Sequence, residues 1–229
     1  MKLLAIDSAT AACSVALLVD GAIQQRFAIA PQQHLDQLLP MAETLLADAG
    51  LSWASLNALA FGCGPGSFTG LRIAASIIQG LALASDLPVL PVSDLQALAQ
   101  GAYRRNPAID KCLVAWDARK AEVYWGQFNL QNVEHSGGKL MQLLDAELVS
   151  QPAHLPSISD DAWCAVGNGW QEYASALEAR FASRIKWRDI DSYPEAYDIV
   201  TLAAYQYHLG LAVSAESAWP IYLRDNVVG

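Results

Sequence analysis

The first half of the chain alternates short, continuous apolar runs with longer stretches in which apolar residues recur at helical spacing. The short runs predict buried strands at residues 3–7, 13–19, 22–29, 58–62 and 89–92. The longer stretches predict helices at residues 35–49, 69–85 and 93–103. Because Asp20-Gly21 is typical of a two-residue hairpin turn, the first three strands are expected to form an antiparallel meander, followed by alternating helices and strands.

The second half begins in a similar way, with an apolar run at residues 112–116, an acid at Asp117, a turn and a strand at 122–128. This echo indicates two related halves, separated near the polar stretch 104–107. Residues 134–159 contain Gly137-Gly138, Pro152 and Pro156 and are expected to be loop-rich. A strand at 163–166, a helix from 169 to about 181 and a long helix at 194–209 complete the prediction.

Composition and net charge limit the classes of protein to which this chain can belong. With 53% hydrophobic residues, the 229-residue chain can bury a large core as one large domain or two small ones. A formal net charge of -9 opposes direct binding to phosphodiester backbones, so a partner is expected to hold any nucleic acid. The start of the sequence has no basic leader, and no apolar run approaches the roughly 20 residues that span a bilayer. We therefore expect a soluble, cytoplasmic protein.

Asp7 ends the first predicted strand and is followed by hydroxyl-bearing residues, Ser8 and Thr10 in the turn and Ser14 on the next strand. Such a hairpin can surround phosphates with backbone N–H groups and place a carboxylate near a magnesium ion. The alternative is that Asp7 and Ser8 only accept hydrogen bonds from turn amides. The pattern alone favours this second interpretation, because a single Asp-Ser pair is a weak motif.

Residues 64–72 (GPGSFTGLR) form a glycine-rich turn that resembles a phosphate loop but lacks its lysine and its order of glycines. Ser67 or Thr69 is expected to cap the helix that follows. Apolar residues cover nearly the whole circumference of this helix, and its only charge before Asp86 is Arg72. A helix of this kind needs cover on both sides, so one side is predicted to face the sheet and the other a partner.

Small residues mark a line on this helix, with Gly66, Gly70 and Ala74 spaced four apart. The spacing predicts that a second helix can approach closely there. The glycines can also serve close backbone approach within the chain, with the helix simply part of the core.

Asp117, Arg119 and Glu122 lie where two apolar runs of the second half join. Alone, this segment is better explained as a hairpin tip with solvated charges. Residues 167–170 (GNGW) form either a plain turn or a loop facing a cleft. The four cysteines form no C-x-x-C and are expected to be buried apolar residues. The four histidines share no i, i+4 pair, which disfavours a helical metal site.

Four segments together resemble the bacterial TsaB (YeaZ) family. They are the opening strand pair (LAIDSAT with CSVAL), the turn GPGSFTGLR, the segment DAR with EVY, and the ending PIYLR. The glycine-rich turn and the DAR turn are specific to this family and its relatives, whereas the strand pair is shared with actin-like and sugar-kinase folds. Relatives often have glycine where this chain has Ala121, so a strict requirement for positive φ is not expected there.

The resemblance implies an α/β fold of the actin-like, ribonuclease-H-like (ASKHA) type, with two subdomains that each contain a mixed sheet of about five strands flanked by helices. The first would span residues 1–104 and the returning C-terminal segment at about 194–229, and the second 105–193. The resemblance also implies a role in making N6-threonylcarbamoyladenosine at position 37 of tRNAs that read codons beginning with A. The family is the non-catalytic paralogue that pairs with the transferase TsaD, joined by the ATPase TsaE.

The leading hypothesis is therefore an assembly subunit without a cofactor of its own, in which ATP or ADP and Mg bind to the assembled complex. Its helices at 69–85 and 36–49 would dock on TsaD, or on a second copy when TsaD is missing. The predicted interface residues are Gly66, Phe68, Thr69, Gly70, Arg72, Ile73, Ser76, Ile77, Leu38 and Leu45.

A second hypothesis concerns a nucleotide-type pocket, vestigial in the TsaB interpretation and a working Mg-ATP site if the chain is an enzyme. Its predicted residues are Asp7, Ser8, Thr10, Asp117 and Arg119. A metalloprotease is the third alternative. It is disfavoured because the H-x-x-x-H motif of TsaD-like proteins is missing.

Overall fold

The computed structural model describes residues 1–134 and 138–224. Predictions that involve His135, Gly137 or residues 225–229 lie outside the described residues. The chain divides into two compact units. Unit 1 comprises Met1–Ala97 and Pro194–Ile221, and unit 2 comprises Leu98–Tyr193 and the segment that starts at Tyr222.

Unit 1 contains a five-stranded sheet with the order β3-β2-β1-β4-β5. Its strands are β1 (Lys2–Asp7), β2 (Ala12–Val19), β3 (Ala22–Ile29), β4 (Ala58–Gly62) and β5 (Val89–Val92). Strands β1 to β3 pair antiparallel, while β4 and β5 run parallel to β1. The predicted meander is confirmed, and Asp20 and Gly21 adopt the positive φ values of 49° and 93° that a two-residue hairpin turn favours.

Three helices follow in the first part of the chain: α1 (His34–Asp48), α2 (Phe68–Ser85) and α3 (Asp94–Arg105). Leucines of α1 and alanines of α2 pack with β-strand residues such as Ile6 and Phe61 in one hydrophobic core. The division between the units falls inside α3, between Ala97 and Leu98. The sequence places the boundary after this helix, near residue 104, because a polar stretch is easier to recognise than a helix shared by two units.

Unit 2 contains a six-stranded sheet with the order β11-β10-β6-β7-β8, and β9 also pairs with β7. Its strands are β6 (Lys111–Asp117), β7 (Val123–Val133), β8 (Gly138–Leu143), β9 (Leu148–Ser150), β10 (Trp163–Val166) and β11 (Ile185–Asp189). Two strands that were not predicted, β8 and β9, fall within residues 134–159, although the other described residues there lie outside strands, in line with the expected loop-rich stretch. Strand β11 was not predicted, because its polar residues alternate with half-buried apolar ones in a short edge strand.

After β10, unit 2 contains α4 (Gly169–Glu172) and α5 (Ala174–Phe181) where one continuous helix was predicted, with the break at Tyr173. Helix α6 (Ala196–His208) belongs to unit 1 and contacts β1 and β2. The Ala196 N–H donates to the Ser14 hydroxyl at 2.8 Å, which fixes the start of α6 to strand β2.

The two sheets have the same topology when β6, β7, β8, β10 and β11 are matched with β1 to β5 in order. In each, two antiparallel partners lie on one side of the first strand and two parallel strands lie on the other. Helices flank both sheets. The fold is the actin-like, ribonuclease-H-like (ASKHA) type, as expected. The four cysteines are buried, as expected, and none of them forms a disulfide.

Candidate partner-binding surface and strand-end sites

The start of α2 is attached to the loop between β1 and β2. The Ser8 hydroxyl donates to the Gly70 carbonyl at 2.9 Å, and the Ser67 N–H donates to the Ala9 carbonyl at 2.7 Å. Ser67 caps the helix by accepting a hydrogen bond from the Gly70 N–H, which confirms one of the two predicted caps.

Close approach within the chain explains the glycines of this turn. A Cβ on Gly70 would lie 1.9 Å from the Ser8 carbonyl oxygen, and one on Gly66 would lie 2.6 Å from the Ala9 carbonyl oxygen. Ala74 is fully buried. The predicted approach of a partner helix along Gly66, Gly70 and Ala74 is therefore wrong, because this line faces the interior of unit 1.

The opposite face of α2 is accessible. Phe68, Thr69, Arg72 and Ser76 are exposed, while Ile73 and Ile77 are half-buried. With Leu35 of α1, these residues line a shallow groove of about 360 Å³. Cover on the sheet side of α2, as predicted, is provided by the core of unit 1.

The groove combines apolar side chains with one cation. Leu35 is 63% exposed, and the Arg72 guanidinium lies 3.8 Å from the centroid of the Phe68 ring. Arg72 is the only charged residue among the described residues that line the groove. An apolar surface of this kind is typical of a protein-binding site.

Two predicted interface residues of α1 face inward instead. Leu38 and Leu45 are 0% and 2% exposed and pack in the core of unit 1. The large apolar side chains that α1 exposes are Leu35 and Leu39. Periodicity places all four leucines on one helix, but a helix with two leucine-bearing faces does not reveal which face the sheet covers. The spacing of Leu35 and Leu39, one turn apart, was the available signal.

Helix α2 is also, by length and composition, the one helix among the described residues that could cross a membrane. This corrects the expectation that no apolar stretch approaches that length. One third of the helix is buried within the protein, and core helices of soluble proteins have the same composition. Its composition therefore gives only weak evidence for a membrane span.

Asp7 is fully buried at the end of β1 and accepts a hydrogen bond from the Ala9 N–H at 3.0 Å. Burial removes the carboxylate from water and raises the pKa of Asp7 from 3.8 to about 6. The Thr10 hydroxyl accepts from the Ala12 N–H at 3.2 Å. The interpretation that Asp7 and Ser8 accept hydrogen bonds from turn amides is thus supported for Asp7, whereas the Ser8 hydroxyl donates to the Gly70 carbonyl instead.

Asp94 is a second buried carboxyl group beside Asp7, and the sequence indicated it only as a helix start. Both contact Gly62, where an added Cβ would lie 2.3 Å from Asp94 Oδ1 and 2.6 Å from Asp7 Oδ1. Asp94 also accepts a hydrogen bond from the Gly64 N–H at 2.6 Å. The pair therefore holds the end of β4 and the beginning of the glycine-rich turn.

This environment does not fit a hydrated magnesium ion. Mg²⁺ needs octahedral oxygen ligands and keeps several waters. Here Gly62 packs against both carboxyl groups, and both are fully buried. Within residues 1–134 and 138–224, no group of three His, Cys, Asp or Glu is arranged to hold a metal ion.

Asp117 ends β6 in unit 2 and has a different set of partners. Its carboxylate accepts hydrogen bonds from the Arg119 N–H at 2.8 Å and the Tyr173 hydroxyl at 2.7 Å. The Arg119 guanidinium lies 3.2 Å from Oδ2 and is 86% exposed. Burial, together with the hydrogen bond to Asp117, raises the pKa of Tyr173 to about 12. The Asn168 side chain accepts from the Asp117 N–H at 2.9 Å.

Three consecutive residues after Asp117 adopt left-handed backbone conformations. The φ values of Arg119, Lys120 and Ala121 are 62°, 56° and 60°. Ala121 therefore adopts a positive φ, although a strict requirement for it was not expected. Arg224 secures this loop by donating to the Ala118 carbonyl at 3.1 Å and by pairing with Glu122.

The predicted nucleotide-type residues thus form two local networks, one in each unit. Asp7, Ser8 and Thr10 lie in the β1–β2 loop of unit 1, and Asp117 and Arg119 lie in the β6–β7 loop of unit 2. Their assembly into one pocket stays a prediction.

Comparison with known proteins gives consistent results. The family model described as TsaD, tRNA N6-adenosine threonylcarbamoyltransferase, matches residues 28–228. The chain is 41% identical to the tRNA threonylcarbamoyladenosine biosynthesis protein TsaB of Escherichia coli over 99% of this chain and 96% of that protein. It is 38% identical to the TsaB protein of Haemophilus influenzae, with 99% and 95% coverage.

A solved structure agrees with these sequence matches. YeaZ from Pseudomonas aeruginosa superimposes with a TM-score of 0.84 at 40% identity, covering 97% of this chain and 99% of that chain. Since both the family model and the TsaB relatives align over most of the chain, it belongs to the TsaD family and, within that family, to the TsaB proteins.

Proposed function

We propose that this chain is a non-catalytic subunit in N6-threonylcarbamoyladenosine synthesis that pairs with a TsaD-type transferase and a TsaE-type ATPase. The TsaD-type partner transfers the threonylcarbamoyl group to adenosine 37 of tRNAs that read codons beginning with A. This chain works in the cytoplasm, has no cofactor of its own and meets tRNA only through the complex. When the transferase is missing, two copies of the chain pair instead.

The names of the full-length relatives support the pathway, since TsaB of Escherichia coli is a tRNA threonylcarbamoyladenosine biosynthesis protein. The observation that supports pairing with a TsaD-type protein is the groove between α1 and α2. It leaves apolar side chains of both helices accessible beside Arg72. Burying such side chains against a partner contributes about 25 cal/mol per Å² of apolar surface. A net charge of -9 favours an indirect role with tRNA.

The alternative function is nucleotide hydrolysis by the chain itself, with Asp7 near a magnesium ion. Full burial against Gly62 makes Asp7 a poor ligand for a hydrated cation. Titration of the purified chain with Mg-ATP separates the two functions. The subunit proposal expects neither micromolar binding nor turnover, and either one would favour the enzyme.

A substitution in the groove tests the pairing. Leu35→Glu changes a side chain that is already exposed, so folding should be preserved. Pairing would bury the new carboxylate in a largely apolar interface, at a cost of about 3 kcal/mol, or roughly a hundredfold in affinity. Copurification with the TsaD-type protein and a tRNA modification assay measure the effect.

The matched control is Leu144→Glu, the same change at an exposed leucine of unit 2. It should leave both readouts unchanged. If Leu35→Glu still pairs and supports modification at the level of the control, the groove is not the interface.

A further inference from the structure

A second hollow lies at the other end of α2 from its capped start. It has a volume of about 540 Å³ and lies between the last turn of α2 and the segment that follows α6. Its described lining is mainly apolar, with two acids: Ala82, Leu83, Asp86, Leu87, Pro88, Ala212, Val213, Ser214, Ala215 and Glu216.

Backbone hydrogen bonds fix the walls of this hollow. The N–H and carbonyl groups of Val89 and Val213 exchange hydrogen bonds of 2.9 and 2.8 Å, which attach the segment after α6 to the edge of β5. The Asp86 N–H and the Leu87 N–H both donate to the Ala82 carbonyl and close the end of α2. The hollow is therefore preformed, which reduces the entropy lost when a ligand binds.

Apolar side chains around the hollow remain accessible. Leu83, on its wall, is 63% exposed, and Leu211, next to the lining segment, is 55% exposed. These side chains can be buried only by a molecule that docks there, and the hollow is large enough for several side chains.

The charge of the hollow is consistently negative. Asp86 caps the carboxyl end of α2, where the helix dipole already carries partial negative charge, and the last turn of α2 has no basic residue. Asp86 is also a non-glycine residue with a φ of 52°. Glu216 adds a second exposed carboxylate, and the described lining includes no Lys or Arg. A cation would offset this unfavourable concentration of negative charge.

We infer that this hollow is a docking site for a partner segment that carries leucine-like side chains and at least one Lys or Arg. The apolar walls match the leucines, and Asp86 and Glu216 match the cation. Nucleic acid and anionic lipid surfaces are disfavoured, because their phosphates would meet two carboxylates. The site is separate from the groove between α1 and α2 and does not depend on the pairing proposed above.

A synthetic peptide provides the probe. The full chain, labelled with ¹⁵N, is titrated with acetyl-LRLLR-amide and, as a control, with acetyl-LELLE-amide. Saturable shift changes at residues 82–88 and 212–216 are expected for the arginine peptide only. The double variant Asp86→Asn with Glu216→Gln should weaken binding about tenfold, since two exposed charge pairs contribute roughly 1.4 kcal/mol together. Asn at position 86 retains a residue type that tolerates left-handed backbone.

A second variant, Leu83→Ser, removes an exposed apolar wall and should also weaken binding while the spectrum stays folded. The inference is overturned if the arginine peptide does not saturate, if the glutamate peptide binds equally well, or if neither variant weakens binding. Shift changes confined to Leu35, Ile73 and Ile77 would also overturn it. That last result would leave the groove proposal intact.

Discussion

Unit 1 and unit 2 repeat one strand order, yet the largely buried acids at the ends of their first strands have different partners. Asp7 is fully buried, accepts a hydrogen bond from the Ala9 N–H and has Asp94 beside it. Asp117 accepts from a tyrosine hydroxyl and a backbone N–H and pairs with the exposed guanidinium of Arg119. The same hairpin scaffold therefore supports a closed carboxyl pair in one unit and an accessible charged loop in the other.

These different partners have different structural consequences in the two units. In unit 1 the buried acids, Ser8 and the glycine-rich turn fix the start of α2, the helix whose outer face lines the groove. In unit 2 the Asp117 network holds Arg119 at the surface on a left-handed backbone. Unit 1 is organised for rigid presentation of a helix, and unit 2 for presentation of a loop.

The largest expected effect is at the start of α2. Gly70→Ala would place a Cβ 1.9 Å from the Ser8 carbonyl oxygen, so the β1–β2 loop and the helix must separate. We expect a loss of about 3–5 kcal/mol in the free energy of unfolding, because the obstacle is backbone. Urea unfolding followed by tryptophan fluorescence measures the loss.

Gly80→Ala is the matched control in the same helix. Gly80 has nothing within 4 Å of the added Cβ and is exposed. Alanine should therefore stabilise the helix by about 0.5–1 kcal/mol. Equal effects of the two variants would show that α2 does not depend on its contact with Ser8.

The next effect concerns the pH dependence caused by Asp7. Its pKa is 3.8 ordinarily and about 6 when folded, so the folded state holds this proton more tightly. The group therefore lowers stability as pH rises from about 4 to 6, by about 3 kcal/mol in total, and the cost persists above pH 6. In Asp7→Asn this term is absent. Urea unfolding at pH 4, 5, 6 and 7 should show the variant gaining on the unmodified chain across that range.

Asp117→Asn sharpens the comparison between the units. It removes the negative partner of an exposed guanidinium but keeps an oxygen that can accept from Tyr173, so a loss of only about 1 kcal/mol is expected at pH 7. If the free energy of unfolding of Asp7→Asn does not rise relative to that of the unmodified chain between pH 4 and 6, burial does not raise the pKa of Asp7.

Much of this fold could be predicted from the sequence, because unit 1 has strong local signals. Continuous apolar runs, the Asp20-Gly21 turn and the capping residue Ser67 each determine structure within a few residues. Unit 2 was less predictable. Strand β11 and the pair β8 and β9 are short and partly polar, so their pairing with distant strands determines them more than their own residues do.

The candidate site shows the same limit. The exposed face of α2 follows from its composition, but the roles of Leu35 and Leu38 depend on which side of α1 the sheet covers. Asp94 joins Asp7 across a separation of more than 80 residues, which no local motif indicates. Both features arise from tertiary packing, so the leucine spacing of α1 indicates two faces without showing which one is covered, and no local pattern links Asp94 to Asp7.

The smallest expected effect is at the charged loop of unit 2. Ala121 has a φ of 60°, a conformation that costs an L-residue about 1–2 kcal/mol and glycine almost nothing. Glycine also gives the unfolded chain more freedom, which reduces the gain, so Ala121→Gly should stabilise the protein by about 0.5–1 kcal/mol. The control, Ala47→Gly in the exposed part of α1, should destabilise it by a similar amount, because there the backbone is helical. Urea unfolding of both variants decides whether the left-handed run is strained: a loss at Ala121 as large as that at Ala47 would mean that the loop tolerates alanine without cost.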